Sequence, residues 1–355
     1  MVIPQFIWMC RKMKKVSIII VNWNGKKFLK NCLTAVFKQT YKNFDVYFVD
    51  NGSIDESSDY VKKNFPKVKI VQLDKNYGFA KGNNEGIKEA FKDKKMEYIV
   101  CLNNDTIVDK NWLKELVKTA ESDKKIGMVS SKAYYKGGKI IQNAGFSLRS
   151  PFQMNTPNDE SIGCNKNWDY FVLKKDIEIF CPGGVAPLYK RKMLEELFKI
   201  SNEFFDETFF AYAEDFDIGY RGRLFRWKAM LSANATLIHL HSQTFGKASE
   251  KKTFYIVRNS FLVVVKNYSF FNLINYPFSF IFSNFVYFFK KNESFENIKA
   301  KIGLVGLLRI VIKSHLSAIN ILPFAIAKRI KIQKNKKVST QEIKSWNKKF
   351  NVEKY

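Results

Sequence analysis

Two acidic residues with polar neighbours mark places in this sequence where chemistry could be done. Asp105 closes an Asn-Asn-Asp run, and Asp50 opens an Asp-Asn-Gly-Ser run. A carboxylate at a strand end is a usual ligand for the Mg²⁺ or Mn²⁺ that neutralises a diphosphate, and Asn103 or Asn104 can add an amide oxygen or hydrogen bonds to a ribose. Asp105 is therefore a candidate metal ligand. Asp50 is a candidate acceptor for the imide N–H of a uracil or thymine ring, with turn capping as the alternative.

A second group of acids, Glu214, Asp215 and Asp217, lies downstream among aromatic residues. Aromatic neighbours such as Tyr212 can stack on sugar rings, which makes this run a candidate pocket for a donor or an acceptor. The alternative is an acidic helix N-terminus that the helix dipole stabilises, which suits Asp217 in particular. Arg221, one helical turn later, can pair with a phosphate or be a surface charge.

Short apolar runs rich in β-branched residues place the first acids at strand ends. They predict strands at 16–21, 44–49, 68–73 and 98–102, with helices between them, one of which opens at Asp109 as its N-cap. This alternation predicts an α/β fold with a parallel sheet covered on both faces, whose ligands bind at the carboxyl ends of the strands. The polar or turn-forming residues at those ends are Asn22, Trp23, Asn24, Asp50, Ser53, Asn76, Gly78, Phe79, Gly82, Asn83, Asn103, Asn104 and Asp105.

The order and spacing of four blocks resemble family 2 glycosyltransferases, particularly the rhamnosyltransferase-like branch that builds bacterial and archaeal surface polysaccharides. The blocks are VSIIIVNWNG, VDNGSIDES, NYGFAKGNNEG and LNNDT. The resemblance covers residues 16–246 and implies a GT-A fold, which is Rossmann-like, with a mostly parallel mixed sheet flanked by helices. It also implies that residues 21–23, beginning at Val21, contact the nucleotide together with Asp50, and that Asp105 binds a metal bridging the diphosphate. Asn103 stands where a plain two-aspartate block has its first acid, a departure common in this branch.

The same resemblance assigns roles further along the chain. An inverting transfer needs a general base to deprotonate the acceptor hydroxyl, and the Glu-Asp motif of the family makes Asp215 that base, with Glu214 orienting it or the acceptor. A histidine after this block completes the metal site, and His239 matches its position better than His241; a satisfied core histidine is the alternative. Gly183 and Gly184 match the small-residue turn that the family has between its donor and acceptor regions. A close approach of the backbone there would need glycine.

Composition bounds the partners and the domain organisation. The 355 residues carry a formal net charge of +27, which predicts an anionic neighbour: nucleic acid, an acidic membrane or phosphorylated substrates. Phenylalanine mixed with lysine after Phe254 is typical of a membrane surface element rather than a nucleic-acid groove. The predicted units are an N-terminal arm or start-site artefact (1–13), a GT-A catalytic domain (14–250), an amphipathic, membrane-associating helical region (251–330) and a Lys-rich tail (331–355).

Five cysteines without a CxxC pair indicate a reducing, cytoplasmic setting. Polar and charged residues interrupt the apolar runs of 251–330, so helices lying on the inner face of the cell membrane are expected, with a transmembrane hairpin or a soluble bundle as alternatives.

The sequence thus predicts an inverting glycosyltransferase. Its donor would be UDP- or dTDP-linked, and its acceptor a growing surface glycan or a sugar on a polyprenyl diphosphate; no nucleic-acid partner is expected. One alternative is a nucleotidyltransferase, although residues 22–26 lack its Gly-rich signature with a catalytic Arg or Lys. The other is a basic nucleic-acid-binding protein, which should concentrate its charge on the α/β domain.

Overall fold

The computed structural model describes residues 13–148, 175–240, 249–276 and 293–350. The strands are β1 (Lys15–Asn22), β2 (Phe44–Asn51), β3 (Lys69–Leu73), β4 (Met96–Cys101), β5 (Thr106–Val108), β6 (Ile126–Tyr134), β7 (Ile141–Asn143), β8 (Ile177–Ile179), β9 (Leu188–Lys190) and β10 (Lys228–His239). The helices of the α/β part are α1 (Lys26–Phe37), α2 (Ser57–Asn64), α3 (Gly78–Phe91), α4 (Trp112–Glu121), α5 (Arg191–Ser201) and α6 (Glu214–Leu224), with a 3₁₀ turn at Glu207–Phe209. The later helices are α7 (Glu250–Asn267), α8 (Phe270–Ile274), α9 (Glu293–Ile319), α10 (Leu322–Asn335) and α11 (Thr340–Lys349).

The strands form one mixed sheet in the order β3-β2-β1-β4-β9-β6-β10-β5, with β7 beside β6 and β8 beside β10. Strands β1 to β4 pair in parallel, as predicted, and so do β6 and β10. The short strands β5, β7, β8 and β9 are antiparallel to their neighbours. The sheet is therefore mixed, and its parallel half brings the ends of β1, β2 and β4 to one edge.

Strand β1 is buried on both faces because alternate side chains enter two different cores. Ile18 and Ile20 pack in the core that contains Leu29 and Leu33 of α1, whereas Ile19 packs with Ile87 of α3 on the other face. A strand of period 2 that is covered on both sides reads as a continuous apolar run. This explains why VSIIIV predicts a central strand.

The start of α4 differs from the prediction. Helix α4 begins at Trp112 with Asn111 as its N-cap, not with Asp109. Asp109 instead accepts the Asn111 N–H through its carboxylate over 2.8 Å, and its carbonyl accepts the Trp112 N–H over 3.0 Å. The aspartate thus makes a local turn that precedes the helix, a common alternative use of this side chain.

Two parts of the predicted C-terminal region pack on the α/β part of the chain. Helix α7 buries Leu262 and Val264 in the core, and only later helices of the 251–330 range expose an apolar face among the described residues. The predicted Lys-rich tail contains α11, and the rings of Trp346 in this helix and of Phe350 just after it each lie 5.8 Å from the Phe180 ring, tilted or edge-on. Residues 340–350 are therefore part of the fold, because their few aromatic side chains cover the core beside β8.

The last features to place are the cysteines, His241 and the candidate membrane segment. Cys32, Cys101 and Cys181 are buried, whereas Cys10, Cys164 and His241 lie outside the described residues. Among the described helices one segment, Ile302–Ile319, is long and apolar enough to cross a membrane by length and composition.

Candidate active site at the strand ends

Asp105 and His239 meet at the edge of the sheet. Strand β5 starts directly after Asp105 and pairs antiparallel with β10, in a register that sets His239 opposite Thr106. The imidazole Nε2 of His239 lies 3.1 Å from a carboxylate oxygen of Asp105. Its Nδ1 lies 2.5 Å from the side-chain oxygen of Gln142 on β7, the position of an Nδ1–H donor. With the proton on Nδ1, Nε2 turns a lone pair towards the Asp105 carboxylate.

The Asp105 and His239 pair fits a divalent cation. Two neighbouring ligands of an octahedral ion, each ~2.1 Å from the metal, stand about 3 Å apart, and the observed separation is 3.1 Å. The buried side-chain oxygen of Asn103 has no hydrogen-bond partner among the described residues. The carboxylate and the amide oxygen suit Mg²⁺ or Mn²⁺, and the imidazole favours the softer Mn²⁺ of the two. The hydrogen bond between His239 and Gln142 is the kind of outer contact that would orient the imidazole towards a metal.

A row of hydrogen bonds joins the ends of β1, β2 and β4. Asn22 donates to the Ser53 hydroxyl over 3.1 Å and accepts from the Asn104 amide over 2.6 Å. Asp50, the register partner of Asn22, accepts the Ser53 N–H over 3.1 Å. The predicted strand-end residues therefore form one connected group beside Asp105.

Asp50 is only 2% exposed, and its second oxygen is already engaged. It accepts from the Ser58 hydroxyl over 2.5 Å and from the Gln72 amide over 3.1 Å. A carboxylate has about four lone-pair positions, so one remains for a nucleobase N–H. Ser58 and Gln72 were not among the sequence candidates, because a serine in a helix and a glutamine in a strand carry no motif.

Trp23 and Asn24 lie at the same edge of the sheet, directly after β1. Trp23 is 40% exposed, and Asn24 has a positive φ of 51° and accepts the Ile54 N–H over 2.8 Å. An exposed indole at a strand end is available to a bound ring.

The block around α3 forms the next wall. Asn76 accepts from the Asn51 amide over 3.2 Å and from the Gly78 N–H over 2.9 Å, which fixes the helix start. Gly82 faces Val21, where a Cβ would lie 2.7 Å from that side chain, so α3 approaches β1 closely. Asn83 is buried and donates to the Phe79 carbonyl inside the helix over 2.9 Å, which is a structural contact.

Asp215 reaches the same edge from α6. Its two carboxylate oxygens accept the N–H groups of Gly184 over 2.7 Å and of Phe216 over 2.8 Å. A Cβ on Gly184 would lie 2.8 Å from this carboxylate, so the close approach requires glycine. The next residue, Val185, accepts the Asn103 N–H over 3.0 Å. One short segment, which Gly183 begins, therefore connects Asp215 to the Asn-Asn-Asp block.

Glu214 is buried and the neighbouring Asp215 is half-buried. Burial raises the pKa of Asp215 to about 6, against the opposing hydrogen bonds from Phe216 and Gly184. Burial, followed by the charge of Asp215, raises the pKa of Glu214 well above its ordinary value. Burial also raises the pKa of the neighbouring Tyr212 hydroxyl. A carboxyl whose pKa lies near 6 can accept a proton at neutral pH.

The structure gives Asp217 and Arg221 a different place from the predicted pocket. Both are essentially buried, and Arg221 donates to Asp217 over 2.9 Å within α6. Asp217 also lies 3.0 Å from the Lys266 ammonium of α7. Their charges serve each other inside the core, and we assign them a structural role. The i, i+4 spacing indicates such a pair, but it does not reveal which side of the helix is covered.

The sequence of this chain is similar to known glycosyltransferases. Residues 17–198, just over half of the chain, match the sequence model of glycosyl transferase family 2. The chain is 31% identical over 118 residues to glycosyltransferase GlyG of Streptococcus pneumoniae, a match that covers 32% of this chain and 38% of that protein. It is 24% identical over 225 residues to the poly-beta-1,6-N-acetyl-D-glucosamine synthase of Staphylococcus epidermidis, covering 61% of this chain and 50% of that protein.

The fold is GT-A, a mixed sheet flanked by helices, and a solved structure agrees. The crystal structure of GalNAc-T7 with UDP, GalNAc and Mn²⁺ has a TM-score of 0.53 at 17% identity, over 72% of this chain and 48% of that one. The chain belongs to glycosyl transferase family 2. This membership decides against the nucleotidyltransferase and nucleic-acid-binding alternatives. The matches span half or less of the length of the two curated relatives.

Proposed function

We propose that this protein is an inverting glycosyltransferase that moves a sugar from a nucleotide-diphosphate donor to a hydroxyl of a growing surface glycan or a lipid-linked sugar. The observation that carries the proposal is the hydrogen bond from the Gly184 N–H to Asp215, because the next residue, Val185, accepts the Asn103 N–H of the Asn-Asn-Asp block. A base beside a diphosphate site is what inverting transfer requires.

In the proposed reaction the Asp215 carboxylate takes the proton of the acceptor hydroxyl while the acceptor oxygen attacks the anomeric carbon. The bond between that carbon and the diphosphate oxygen breaks, and its electron pair stays on the diphosphate. Glu214 would orient this carboxylate or the acceptor, and Tyr212 could stack on a sugar ring. Because attack comes from the side opposite the leaving group, the anomeric configuration inverts.

Asp105 and His239 would hold the metal, with Asn103 next to them. A bound Mg²⁺ or Mn²⁺ would neutralise charge on the leaving diphosphate. Asp50 would accept the imide N–H of the base, Trp23 would face the bound ring, and Asn22 and Asn104 would lie against the ribose and phosphates.

We propose the donor and the acceptor from the proteins that this chain resembles. The likeness to the rhamnosyltransferase-like branch favours dTDP-rhamnose, whereas the name of the staphylococcal relative, a poly-N-acetylglucosamine synthase, favours UDP-N-acetylglucosamine. That name also supports a polysaccharide acceptor.

We further propose that the protein binds the inner face of the cell membrane through α9. One face of this helix leaves large apolar side chains exposed: Leu304, Val305, Leu308, Ile312, Leu316 and Ile319. Arg309 and Lys313 interrupt the apolar run in the middle of the helix. In a membrane-spanning helix these charges would lie near the bilayer centre, where burying a charge costs free energy. The opposite face is packed, since Ser314 donates to the Phe254 carbonyl of α7 over 3.2 Å. A helix covered by protein on one side suits the interface better than a transmembrane span.

The test is a nucleotide-release screen with UDP-, dTDP- and GDP-sugars, with Mn²⁺, with Mg²⁺ and with chelator. Wild type should release nucleotide from at least one donor only when a divalent cation is present. Asp215→Asn should lose about 10²- to 10⁴-fold in kcat, the range for a general base. Asp105→Ala should lose metal-dependent turnover, whereas the control Asp109→Ala, a change at an exposed aspartate four residues away, should retain it.

Each part of the proposal has its own contradicting result. Failure of wild type to bind or turn over any of these donors contradicts the transferase proposal. Full activity of Asp215→Asn contradicts only the assignment of Asp215 as the base. Turnover without a metal contradicts only the proposed metal site.

A further inference from the structure

The turn that leads into the acidic pair has a strained backbone. Phe210 has a φ of 62° and a ψ of −61°, and the Ala211 N–H donates to the Phe209 carbonyl over 2.7 Å, which makes a γ-turn of the rare hand. Tyr212 and Ala213 follow with φ values of 71° and 67°. None of these three positive-φ residues is glycine. Such conformations persist only where the surroundings hold them.

Asn259 of α7 holds the inner side of this turn. Its side-chain amide donates to three carbonyls of the turn, those of Phe209 (2.9 Å), Ala211 (2.8 Å) and Tyr212 (2.8 Å). The amide has two hydrogens, so one of them is shared. Asn259 is fully buried, and its own oxygen accepts from the Arg258 guanidinium over 2.9 Å, which fixes the orientation of the amide.

Arg258 strengthens the same attachment. Its guanidinium donates to the carbonyls of Thr208 over 2.8 Å and Phe209 over 3.0 Å. Two neighbouring residues of α7 therefore bind four carbonyls of one short segment. This is more hydrogen bonding than the packing of a helix against a loop requires.

The outer side of the turn rests on the donor wall. The Phe210 carbonyl accepts the N–H groups of Phe79 over 2.6 Å and Ala80 over 3.3 Å, in the first turn of α3. Gly78, with a φ of 87°, allows this contact, because a Cβ there would lie 2.4 Å from the Phe210 oxygen. The turn is thus held between the donor block and α7.

We propose that Asn259 is a positioning residue, which holds the strained 209–213 turn so that Asp215 is presented to the acceptor hydroxyl. The inference rests on the proposed function, in which Asp215 is the base. Within the described part of the chain, the side-chain hydrogen bonds of Asn259 run to this turn and to Arg258, so its effect on the reaction passes through the geometry of the turn.

The test replaces Asn259 with leucine, which has a similar shape and no donors, and with serine, which keeps one donor. Asn259→Leu should lower kcat by about 100-fold, the effect of displacing a catalytic group by about 1 Å. The KM for the donor should change much less, because Asp50 and the β1 end keep their contacts. Asn259→Ser should give an intermediate kcat.

The matched control is Asn267→Leu. Asn267 is equally buried on the same helix and donates to Asp217 over 2.8 Å, which lies in the core rather than at the reacting atoms. Assayed below the unfolding midpoint of each variant, Asn267→Leu should keep a kcat near that of wild type. An equal loss of kcat in both leucine variants, or a loss that only follows the folded fraction, overturns the positioning role.

A double variant separates this inference from the proposed function. If Asn259 acts through Asp215, the loss in Asp215→Asn/Asn259→Leu should equal that of Asp215→Asn alone. The acid limb of the pH profile of Asn259→Leu should also move to lower pH, because water reaches the released carboxyl. Multiplying losses in the double variant, or an unchanged kcat in Asn259→Leu, overturns the inference. Full activity of Asp215→Asn overturns the base assignment instead.

Discussion

Neighbouring carboxyl groups, Glu214 and Asp215, have different environments although they are adjacent in sequence. Asp215 receives two backbone N–H groups, which stabilise its charge, whereas one oxygen of Glu214 is buried without a partner among the described residues. Burial and the charge of Asp215 raise the pKa of Glu214 well above its ordinary value, whereas the N–H groups of Phe216 and Gly184 oppose the rise at Asp215. These two hydrogen bonds favour the charged form of Asp215, which fits it to act as the base of the pair.

At the residue scale, the ionisation of Asp215 should control the acid side of the reaction. Because its pKa is raised to about 6 and only the charged form accepts a proton, kcat/KM of wild type should rise with pH and level off above a midpoint near 6. Rates measured between pH 4.5 and 8 with saturating metal test this. A midpoint near the ordinary aspartate value would contradict the buried environment.

The same shift has a consequence for stability that serves as an independent readout. A carboxyl with a raised folded pKa binds more protons in the folded state, so its contribution to stability falls as the pH rises from about 4 to 6. Asp215→Asn removes this penalty. Its unfolding midpoint should exceed that of wild type at pH 8 by more than it does at pH 4.5.

At the scale of elements, α6 and α7 are joined by buried charges rather than by apolar packing alone. Lys266 lies 2.5 Å from Asp206 and 3.0 Å from Asp217, and Lys328 of α10 reaches Asp206 over 2.7 Å. Burial alone would raise the pKa of Asp206, but Lys266 and Lys328 hold it below its usual range. These contacts bind both ends of the segment that carries the strained turn, so helices after residue 250 complete the catalytic domain.

Removal of the central charge should destabilise the whole domain. Lys266→Met leaves Asp206 and Asp217 with less compensation inside the core, and loss of one partner from a buried ion pair costs about 3–5 kcal/mol. Urea unfolding monitored by circular dichroism measures the loss. The control Lys344→Met removes an exposed lysine of α11 and should leave the free energy of unfolding within about 0.5 kcal/mol of wild type. Equal unfolding curves for the two variants would contradict the role of the charge cluster.

At the scale of the whole molecule, the exposed apolar face of α9 lies on a protein of net charge +27. An apolar face bordered by Arg309 and Lys313 combines burial in the acyl region with attraction to anionic headgroups. The same helix packs on α7 through Ser314, and α7 in turn holds the turn before Asp215. A membrane-bound acceptor would therefore approach a catalytic domain that stands on the surface carrying it.

Binding to vesicles tests this arrangement. Wild type should co-sediment with vesicles that contain phosphatidylglycerol, less so with neutral vesicles, and less at high salt because the headgroup attraction is screened. Leu308→Asp should reduce this binding strongly, since Leu308 is 60% exposed on the apolar face. Ile140→Asp introduces the same charge at another exposed apolar residue and should bind as wild type does. Equal binding of all three proteins would contradict the proposed surface.

Residue types and spacing alone predict strands β1 to β4, their polar ends and the resemblance to the family. Short apolar runs specify β1, β2 and β4 locally, and parallel pairing then brings Asn22, Asp50 and Asn104 to one edge whatever the rest of the chain does. Periodicity does not report which faces are covered. For that reason the placement of Asp217 in the core and the packing of α11 were not predicted from spacing or charge.

Only the tertiary structure decided the contacts that join distant segments. Gln142 and His239 are 97 residues apart, and Asn259 lies 50 residues after the Phe209 carbonyl that it binds. Gln142 and Asn259 belong to no sequence motif, because an amide side chain acquires its role from the groups that the fold places beside it. Local chemistry marks Asp105 and Asp215 in the sequence, whereas the residues that orient them are set by packing between elements.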